Sequence, residues 1–303
     1  MMTKPINIFR GSDGLNTMID PARLRSGGGV QDLAVAADID VTDTGRISRR
    51  KGYTKRISAS VHSLFCDGGP CLFVTGTSLC SLNPDYTYNI LATVTAAARV
   101  SYTEINNRIY WCNGNEKGYV SGSVNHSWIK GEYVGPTTKR ILSNPPIGTL
   151  VEYYRTRMYI AQANVLWYSE PLAFGAFDLV RGFFMFATDI RMVRAVEDGI
   201  FVSSSNNTYF LRGNTPLSFE QIKVADYPAI QWSDAKLEGS LSQDGGIIEG
   251  NGISAMWMSN EGICYGGPGG FRNLTLDKIA DFPDGLSGSG LVYNGRYIGL
   301  INP

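Results

Sequence analysis

The sequence predicts an all-β fold, a β-propeller of six blades, with five blades as the alternative count. Three observations support this prediction. A hairpin pattern repeats along the chain. Glycine is abundant, with 35 residues, and aromatic residues reach 11%, as expected of short strands joined by tight turns. Helical periodicity is nearly absent, and Gly14–Arg25 is the one segment that we predict as a short helix.

The repeated hairpin is the strongest of these signals. Each copy has a short apolar run, a polar turn that usually contains Gly or Asn, and a second apolar-aromatic run. Copies recur about every 45 residues, the period of a four-stranded blade. Flanking strand-like segments bring each unit to about four strands, and such units bury both faces only when they form a ring. An ordinary β-sandwich is the alternative. The copies begin at Leu72, Ile109, Met158, Ile200, Ala255 and Tyr297.

The last unit has two recognisable strands, Gly290–Tyr293 and Arg296–Ile301, which leaves open strand edges. An N-terminal hairpin is a suitable donor, because Leu33–Val41 alternates in polarity and Arg46–Ile57 returns after a turn. We therefore predict that residues 33–57 close the last blade by pairing with the C-terminal strands. Residues 1–32 are then an N-terminal arm, and residues 33–303 form a single propeller domain.

Charge is balanced overall but uneven along the chain. Lys+Arg and Asp+Glu number 27 each, so no global charge recruits nucleic acid or membrane. Residues 1–56 hold ten basic and six acidic side chains, whereas residues 187–303 hold eight basic and thirteen acidic ones. This asymmetry predicts head-to-tail neighbours or two faces of different potential, with chance as the alternative.

One basic cluster is the densest charge feature of the chain. It could line a channel that passes DNA, by contacting phosphates without reading sequence, or it could contact a neighbouring subunit. A solvated or salt-bridged strand face is the alternative. The cluster comprises Arg46, Arg49, Arg50, Lys51, Lys55 and Arg56.

The five cysteines are an odd number, and the N-terminus lacks the apolar core of a secretory signal. We therefore expect free thiols in a protein made in a reducing cytoplasm. No stretch approaches the roughly 18 apolar residues of a membrane span. The cysteines are Cys66, Cys71, Cys80, Cys112 and Cys264.

Residues for catalysis, cofactors or metals are sparse, so we predict no enzyme, no cofactor and no metal. His62 and His126 are the two histidines, and neither lies in a nucleophile–base pattern. The sequence holds no P-loop or dinucleotide fingerprint. A propeller glycosidase is the enzymatic alternative, since it needs paired carboxylates near the ring axis. Glu104, Glu152 and Glu249 are its candidates.

A carbohydrate- or receptor-binding propeller, associated with tail fibres, is the other alternative. Such a module presents exposed aromatic side chains in the loops of one face. Trp128 and Trp232 are the candidate ligand contacts.

The segment Ala36–Tyr53 resembles a motif of tailed-bacteriophage virion proteins: an Asp-rich strand, an Asp-x-Gly turn, then Arg-Arg-x-Gly-Tyr. The entry Asn7–Gly14 is also similar. The likeness in motif covers residues 1–57 and points to the tail hub, nozzle and packaged-DNA-stabilisation proteins of short-tailed phages. The chain departs from nozzle-type proteins by being shorter, since those usually carry extra domains.

This resemblance implies a structural component of a phage tail or neck. Such proteins form homo-oligomeric rings, with a hexamer favoured, below the portal and adaptor proteins. They line or seal the DNA exit channel, contact phage DNA without sequence preference and anchor tail fibres. We therefore expect this chain in the virion, after synthesis in the host cytoplasm.

Overall fold

The computed structural model describes residues 12–21, 24, 32–42, 45–67, 69–131, 140–237, 252–268, 270–293 and 296–302. These residues form β-strands and one turn of 3₁₀ helix, Pro216–Ser218. An N-terminal hairpin of two short strands comes first, β1 (Ile39–Val41) and β2 (Ile47–Arg49). None of the helical turns in this part of the chain is long and apolar enough to cross a membrane.

Five antiparallel sheets follow in chain order, each with a path of four strands. Sheet 1 contains β3 (His62–Phe65), β4 (Cys71–Thr75), β5 (Ser78–Leu82) and β6 (Tyr88–Thr93). Sheet 2 contains β7 (Ser101–Ile105), β8 (Arg108–Cys112), β9 (Lys117–Ser121) and β10 (Val124–His126). Sheet 3 contains β11 (Leu150–Tyr154), β12 (Arg157–Gln162), β13 (Val165–Glu170) and β14 (Ala173–Phe177), and β15 (Phe183–Met185) also pairs with β13.

Sheet 4 contains β16 (Ile190–Val196), β17 (Gly199–Ser204), β18 (Thr208–Arg212) and β19 (Glu220–Ala225). Sheet 5 contains β20 (Ala235–Leu237), β21 (Ser254–Ser259), β22 (Gly262–Gly267) and β23 (Gly270–Asn273). The last hairpin contains β24 (Ser287–Tyr293) and β25 (Arg296–Asn302).

The first strands of successive sheets lie against one another: β7 contacts β11, β11 contacts β16, and β20 contacts β24. Consecutive up-and-down sheets whose first strands meet at the centre are the arrangement of a β-propeller. The predicted fold class is therefore confirmed. The number of blades stays a prediction, because five sheets of four strands are followed by a hairpin of two.

Apolar clusters between neighbouring sheets form the core. Between sheets 4 and 5, the Phe201 ring stacks on Phe210 at 4.5 Å and lies 5.3 Å from the Trp257 ring. Gly266 faces this ring so closely that an added Cβ would lie 2.4 Å from Phe201 Cε2. Similar clusters join sheets 1 and 2, 2 and 3, and 3 and 4.

The predicted closure by strand pairing differs from the structure. β1–β2 and β24–β25 are separate two-stranded sheets, and they meet where Arg296 Nη2 donates to the Val41 carbonyl at 3.5 Å. The last hairpin is instead held by sheet 5, because the Gly288 N–H donates to the Gln231 carbonyl at 2.8 Å. Arg99 also reaches it and donates to the Gly288 carbonyl at 2.5 Å.

The predicted helix Gly14–Arg25 is wrong over residues 14–21. Leu15 forms a parallel bridge with Leu33, and the Thr17 N–H donates to the Lys278 carbonyl at 2.7 Å. A backbone N–H that donates to a distant segment cannot also make a hydrogen bond within a helix. Residues 14–21 therefore connect the segment before the N-terminal hairpin to the chain after sheet 5.

The alternating pattern of the sequence predicts Gly246–Glu249 as the first strand of sheet 5 and Leu274–Ile279 as its outer strand. The structure has Ala235–Leu237 as the first strand, and residues 246–249 lie outside the described residues. The outer strand is Gly270–Asn273 and not Leu274–Ile279. Tight packing against Phe201 favours glycine at Gly266 of β22.

The expectation of five free thiols is wrong for two of them. Cys66 and Cys71 form a disulfide, with Cα atoms 4.4 Å apart. The cause is local, since β3 ends at Phe65 and the antiparallel return begins at Cys71, so the short turn brings both side chains together. Cys80, Cys112 and Cys264 are free and buried.

We predict that Phe201→Ala lowers the free energy of unfolding by about 3–5 kcal/mol, the usual cost of emptying a phenylalanine site. Phe201 is fully buried between two sheets, so its neighbours have little room to collapse. Leu217→Ala is the control, because Leu217 is 98% exposed. Urea denaturation followed by tryptophan fluorescence measures both, and an equal effect of the two variants would contradict this description of the core.

Candidate functional site

A pocket of about 380 Å³ lies where the first strands of sheets 1 to 4 end. Phe65 is the last residue of β3, Ile105 of β7, Tyr154 of β11 and Val196 of β16, and all four line it. Because β7, β11 and β16 lie side by side, the pocket lies at one end of the innermost strands of these sheets. Concave sites with a few convergent polar groups are where propellers and other folds bind ligands.

Arg194 is the centre of a buried ion network in this pocket. Its Nη1 donates to Glu152 Oε2 at 3.0 Å, and its Nε donates to Asp234 Oδ2 at 2.8 Å. The Glu152 side chain is 8% exposed and the Arg194 side chain 23%. One guanidinium therefore joins the first strands of sheets 3 and 4 to the segment that enters β20.

Burial and pairing act in opposite directions on these groups. Burial raises the pKa of Glu152, and the neighbouring Arg194 only partly offsets this rise. Burial disfavours the charged form of Arg194, but attraction from Asp234 and Glu152 outweighs it and raises the pKa of the guanidinium. The network keeps the Arg194 guanidinium charged and fixed between Glu152 and Asp234.

A second carboxylate, Glu104, stands at the rim of the same pocket. Burial raises the pKa of Glu104, nearby Asp67 adds to the rise, and Lys236 opposes it. Glu104 Oε2 is buried without a hydrogen-bond partner among the described residues. Gly69 lies close to this carboxyl group, since a Cβ added at Gly69 would lie 3.3 Å from Oε2. The disulfide-closed turn between Cys66 and Cys71 thus packs onto this carboxyl group.

The structure brings together two of the three carboxylates predicted for a glycosidase. Glu104 and Glu152 both line the pocket, and Glu249 lies outside the described residues. Arg194, Asp234 and Lys236 were missed by sequence reasoning. No motif marks them, because their proximity follows from the ring of first strands and not from spacing along the chain.

The two predicted tryptophan contacts have different outcomes. Trp128 is 3% exposed, its Nε1 donates to the Phe174 carbonyl at 3.0 Å, and its ring packs on Tyr110. The expectation that Trp128 is exposed in a loop is therefore wrong, because its ring packs in the apolar cluster between sheets 2 and 3. Trp232 is half-buried, with the Arg99 guanidinium 5.9 Å from its ring centroid.

All six residues of the predicted basic cluster are exposed. Three of them have partners: Arg50 pairs with Asp40 at 3.5 Å, Lys55 Nζ donates to the Ser58 carbonyl, and Arg56 lies over the Tyr86 ring. The cluster begins at Arg46, just before β2, and continues along the segment to sheet 1, which has no strand between residues 50 and 61. None of the six residues lines the pocket.

The two histidines lie apart. His62 Nδ1 is 2.9 Å from Ser63 Oγ, and burial, with a smaller effect of Arg99, lowers the pKa of this imidazole. His126 stacks on the Tyr119 ring at 4.9 Å. Within the described ranges, no group of three or more His, Cys, Asp or Glu side chains is placed to hold a metal ion.

No family model and no curated protein matches this sequence. Among solved structures, BBS1N in its complex with ARL6 is 9% identical, with 97% of this chain and 94% of that one covered and a TM-score of 0.48. A structure of S. cerevisiae Dbp5 bound to Nup159 is 10% identical, with 83% of this chain and 73% of that one covered and a TM-score of 0.44.

The extracellular domain of a putative one component system from B. thetaiotaomicron is 8% identical, with a TM-score of 0.47. This match covers 78% of our chain and only 31% of that one. The extracellular domain of a putative hybrid two component system from the same organism is covered over 28% of its length. Our chain therefore spans less than a third of the length of each of these two proteins. Because all these TM-scores lie below 0.5, the fold is assigned from the sheet order of this chain alone.

We predict that Arg194→Met destabilises the protein by about 3 kcal/mol at neutral pH, the low end for breaking a buried pair because Arg194 keeps some exposure. Without the guanidinium, the pKa of Glu152 rises further above its value in the unfolded chain. The deficit is then largest at neutral pH and shrinks as the pH falls through that raised pKa.

Arg140→Met is the matched control. Arg140 also joins two carboxylates, Glu170 and Asp178, but lies outside the pocket with a 36% exposed side chain. Its loss should cost less. Thermal unfolding of both variants from neutral to mildly acidic pH tests this. A deficit of Arg194→Met that stays constant or grows on acidification would contradict the role given to the network.

Proposed function

We propose that this chain is a structural, ring-forming component of a phage tail or neck, of the hub or nozzle type. The ring is a homo-oligomer, with a hexamer favoured, located in the virion. It lines or seals the DNA exit channel and docks the portal or adaptor on one side and tail fibres on the other. The propeller supplies a rigid disc for these contacts.

The exposed basic cluster is the observation that supports this role most. Six cations lie within eleven residues, and all of them face solvent rather than the buried networks of the propeller. Positive side chains on an irregular segment contact phosphates without reading base sequence, which suits a surface past which DNA must slide. This cluster is also part of the segment that resembles phage virion proteins.

We expect the protein to bind double-stranded DNA with an affinity that falls steeply with salt. In Lys51→Glu/Lys55→Glu, the slope of log affinity against log salt should become shallower by about 0.9 for each lost phosphate contact. Fluorescence anisotropy with unrelated duplex sequences measures this, and sequence should have little effect.

Arg181→Glu/Arg212→Glu is the control, because it reverses two exposed charges far from the cluster along the chain. Its slope should match that of the wild type. Equal slopes for both double variants, or no binding by the wild type, would contradict a DNA-contacting role of the cluster.

A propeller glycosidase is the second candidate, favoured by the presence of Glu104 and Glu152 in one pocket. A general acid must hold its proton near neutral pH, and burial beside Asp67 raises the pKa of Glu104 in that direction. Glu152 is less suited to attack, since Arg194 already occupies one of its oxygens. The glycan-binding alternative loses Trp128 and depends on Trp232.

A polysaccharide-hydrolysis screen decides this second candidate. Hydrolysis by the wild type that is lost in Glu104→Gln and kept in Glu261→Gln would favour it. The control residue Glu261 lies in the turn before β22, outside the pocket lining. We expect no hydrolysis under the leading proposal.

A further inference from the structure

The last hairpin lacks two of the strands that each of the five preceding sheets has. One of its faces packs on sheet 5, through Val292 and Tyr297. The opposite face exposes four large apolar side chains. A long edge strand without such cover is normally protected by prolines, bulges or inward charges, and β25 has no proline and one cation, Arg296. The exposed residues are Leu291 (51%), Tyr293 (64%), Ile298 (45%) and Leu300 (68%).

The N-terminal hairpin is a two-stranded sheet that pairs with no other strand of the described chain. β1 and β2 pair over three residues each, from Ile39↔Arg49 to Val41↔Ile47. An isolated hairpin of this size is at best marginally stable. The sheet of β24 and β25 is two strands short of four. The strands β1 and β2 pair only with each other in the described chain, so they match this deficit in number.

A long connection separates this hairpin from the propeller. Residues 50–61 carry no strand, and two contacts fix them to sheet 1: the Arg56 guanidinium lies over the Tyr86 ring, and Thr75 Oγ1 donates to the Ser60 carbonyl at 3.0 Å. The six residues before the first of these contacts span at most about 20 Å when extended. The hairpin therefore has the reach to leave its own propeller and lie on an adjacent molecule.

Charge favours an adjacent molecule. The hairpin carries Arg46 and Arg49, and the segment that enters β24 carries the exposed Asp277, Asp281 and Asp284. Among the described ion pairs, none joins these two segments within one chain. Opposite charges that do not meet within a subunit become complementary between subunits when the contact is head-to-tail.

We propose that the β1–β2 hairpin of one copy pairs with β25 of the next copy and completes its last sheet to four strands. This inference deepens the proposed ring and rests on it. Each subunit donates at one side and accepts at the other, so the contact is heterologous, and it forms the proposed ring when the rotation between neighbours closes. The open edge of β25 is then paired at the subunit boundary.

Two single-cysteine variants test the exchange. Ser48→Cys places a thiol on the donor and Leu300→Cys one on the acceptor, and both positions are exposed. A short bis-maleimide should give a covalent dimer when the two variants are mixed and assembled, and none with either alone. Ser48→Cys mixed with Leu217→Cys is the control, since Leu217 lies on the 3₁₀ turn of sheet 4.

The double variant Ser48→Cys/Leu300→Cys separates exchange from closure within one chain. Exchange gives a ladder of linked chains on a denaturing gel, whereas closure within a chain gives a linked monomer, which would overturn the inference. Light scattering on the same sample reads the assembly independently. If the sample assembles into a ring but gives no donor–acceptor crosslink, the strand exchange is contradicted and the proposed ring is not. If the sample stays monomeric, the proposed ring itself is contradicted.

Charge swaps give a second test. Arg46→Glu/Arg49→Glu and Asp281→Lys/Asp284→Lys should each weaken assembly at low salt at least tenfold in dissociation constant. A mixture of the two should assemble again, because every interface in an alternating ring then carries opposite charges. Failure of the mixture to recover, with both variants folded, would contradict pairing between these segments.

Discussion

Each sheet of this propeller has two apolar faces, and both must be buried against neighbouring sheets. The rest of the structure depends on this constraint. Phe201 of sheet 4 illustrates it, because its ring is covered from sheet 5 by Trp257 and by the side-chain-free surface of Gly266. Successive sheets repeat this contact around the propeller. The last hairpin is the exception, since one of its faces has no covering sheet in the described chain.

The pocket follows from the same arrangement. The side chains at the ends of the first strands share this pocket, and seven of the sixteen residues that line it are charged. Arg194 balances Glu152 and Asp234, which avoids an unpaired buried charge. The network joins the first strands of sheets 3 and 4 to the segment that enters β20. Its position explains why a carboxylate pair can be present in a protein whose proposed role is structural.

Sequence predicted the regular parts of this fold well and its junctions poorly. The hairpins around Phe73, Tyr159 and Phe201 repeat a local pattern of alternation and turn residues, which is visible in any single copy. Closure of the propeller, the Cys66–Cys71 bond and the burial of Trp128 depend on contacts between segments far apart or on turn geometry. Sequence reasoning identified Glu104 and Glu152 of the pocket, because both lie on predicted inner strands. It did not identify Arg194 and Asp234, because no motif marks them.

The central claim is that this propeller is a subunit of a closed ring. Size-exclusion chromatography with light scattering measures the mass of the purified full chain directly. A single species of about 199 kDa, six times the 33.1 kDa of one chain, is the result expected of the favoured hexamer, and another single closed stoichiometry would revise only the symmetry. A protein that stays at the mass of one chain at all concentrations and salt levels would contradict the account.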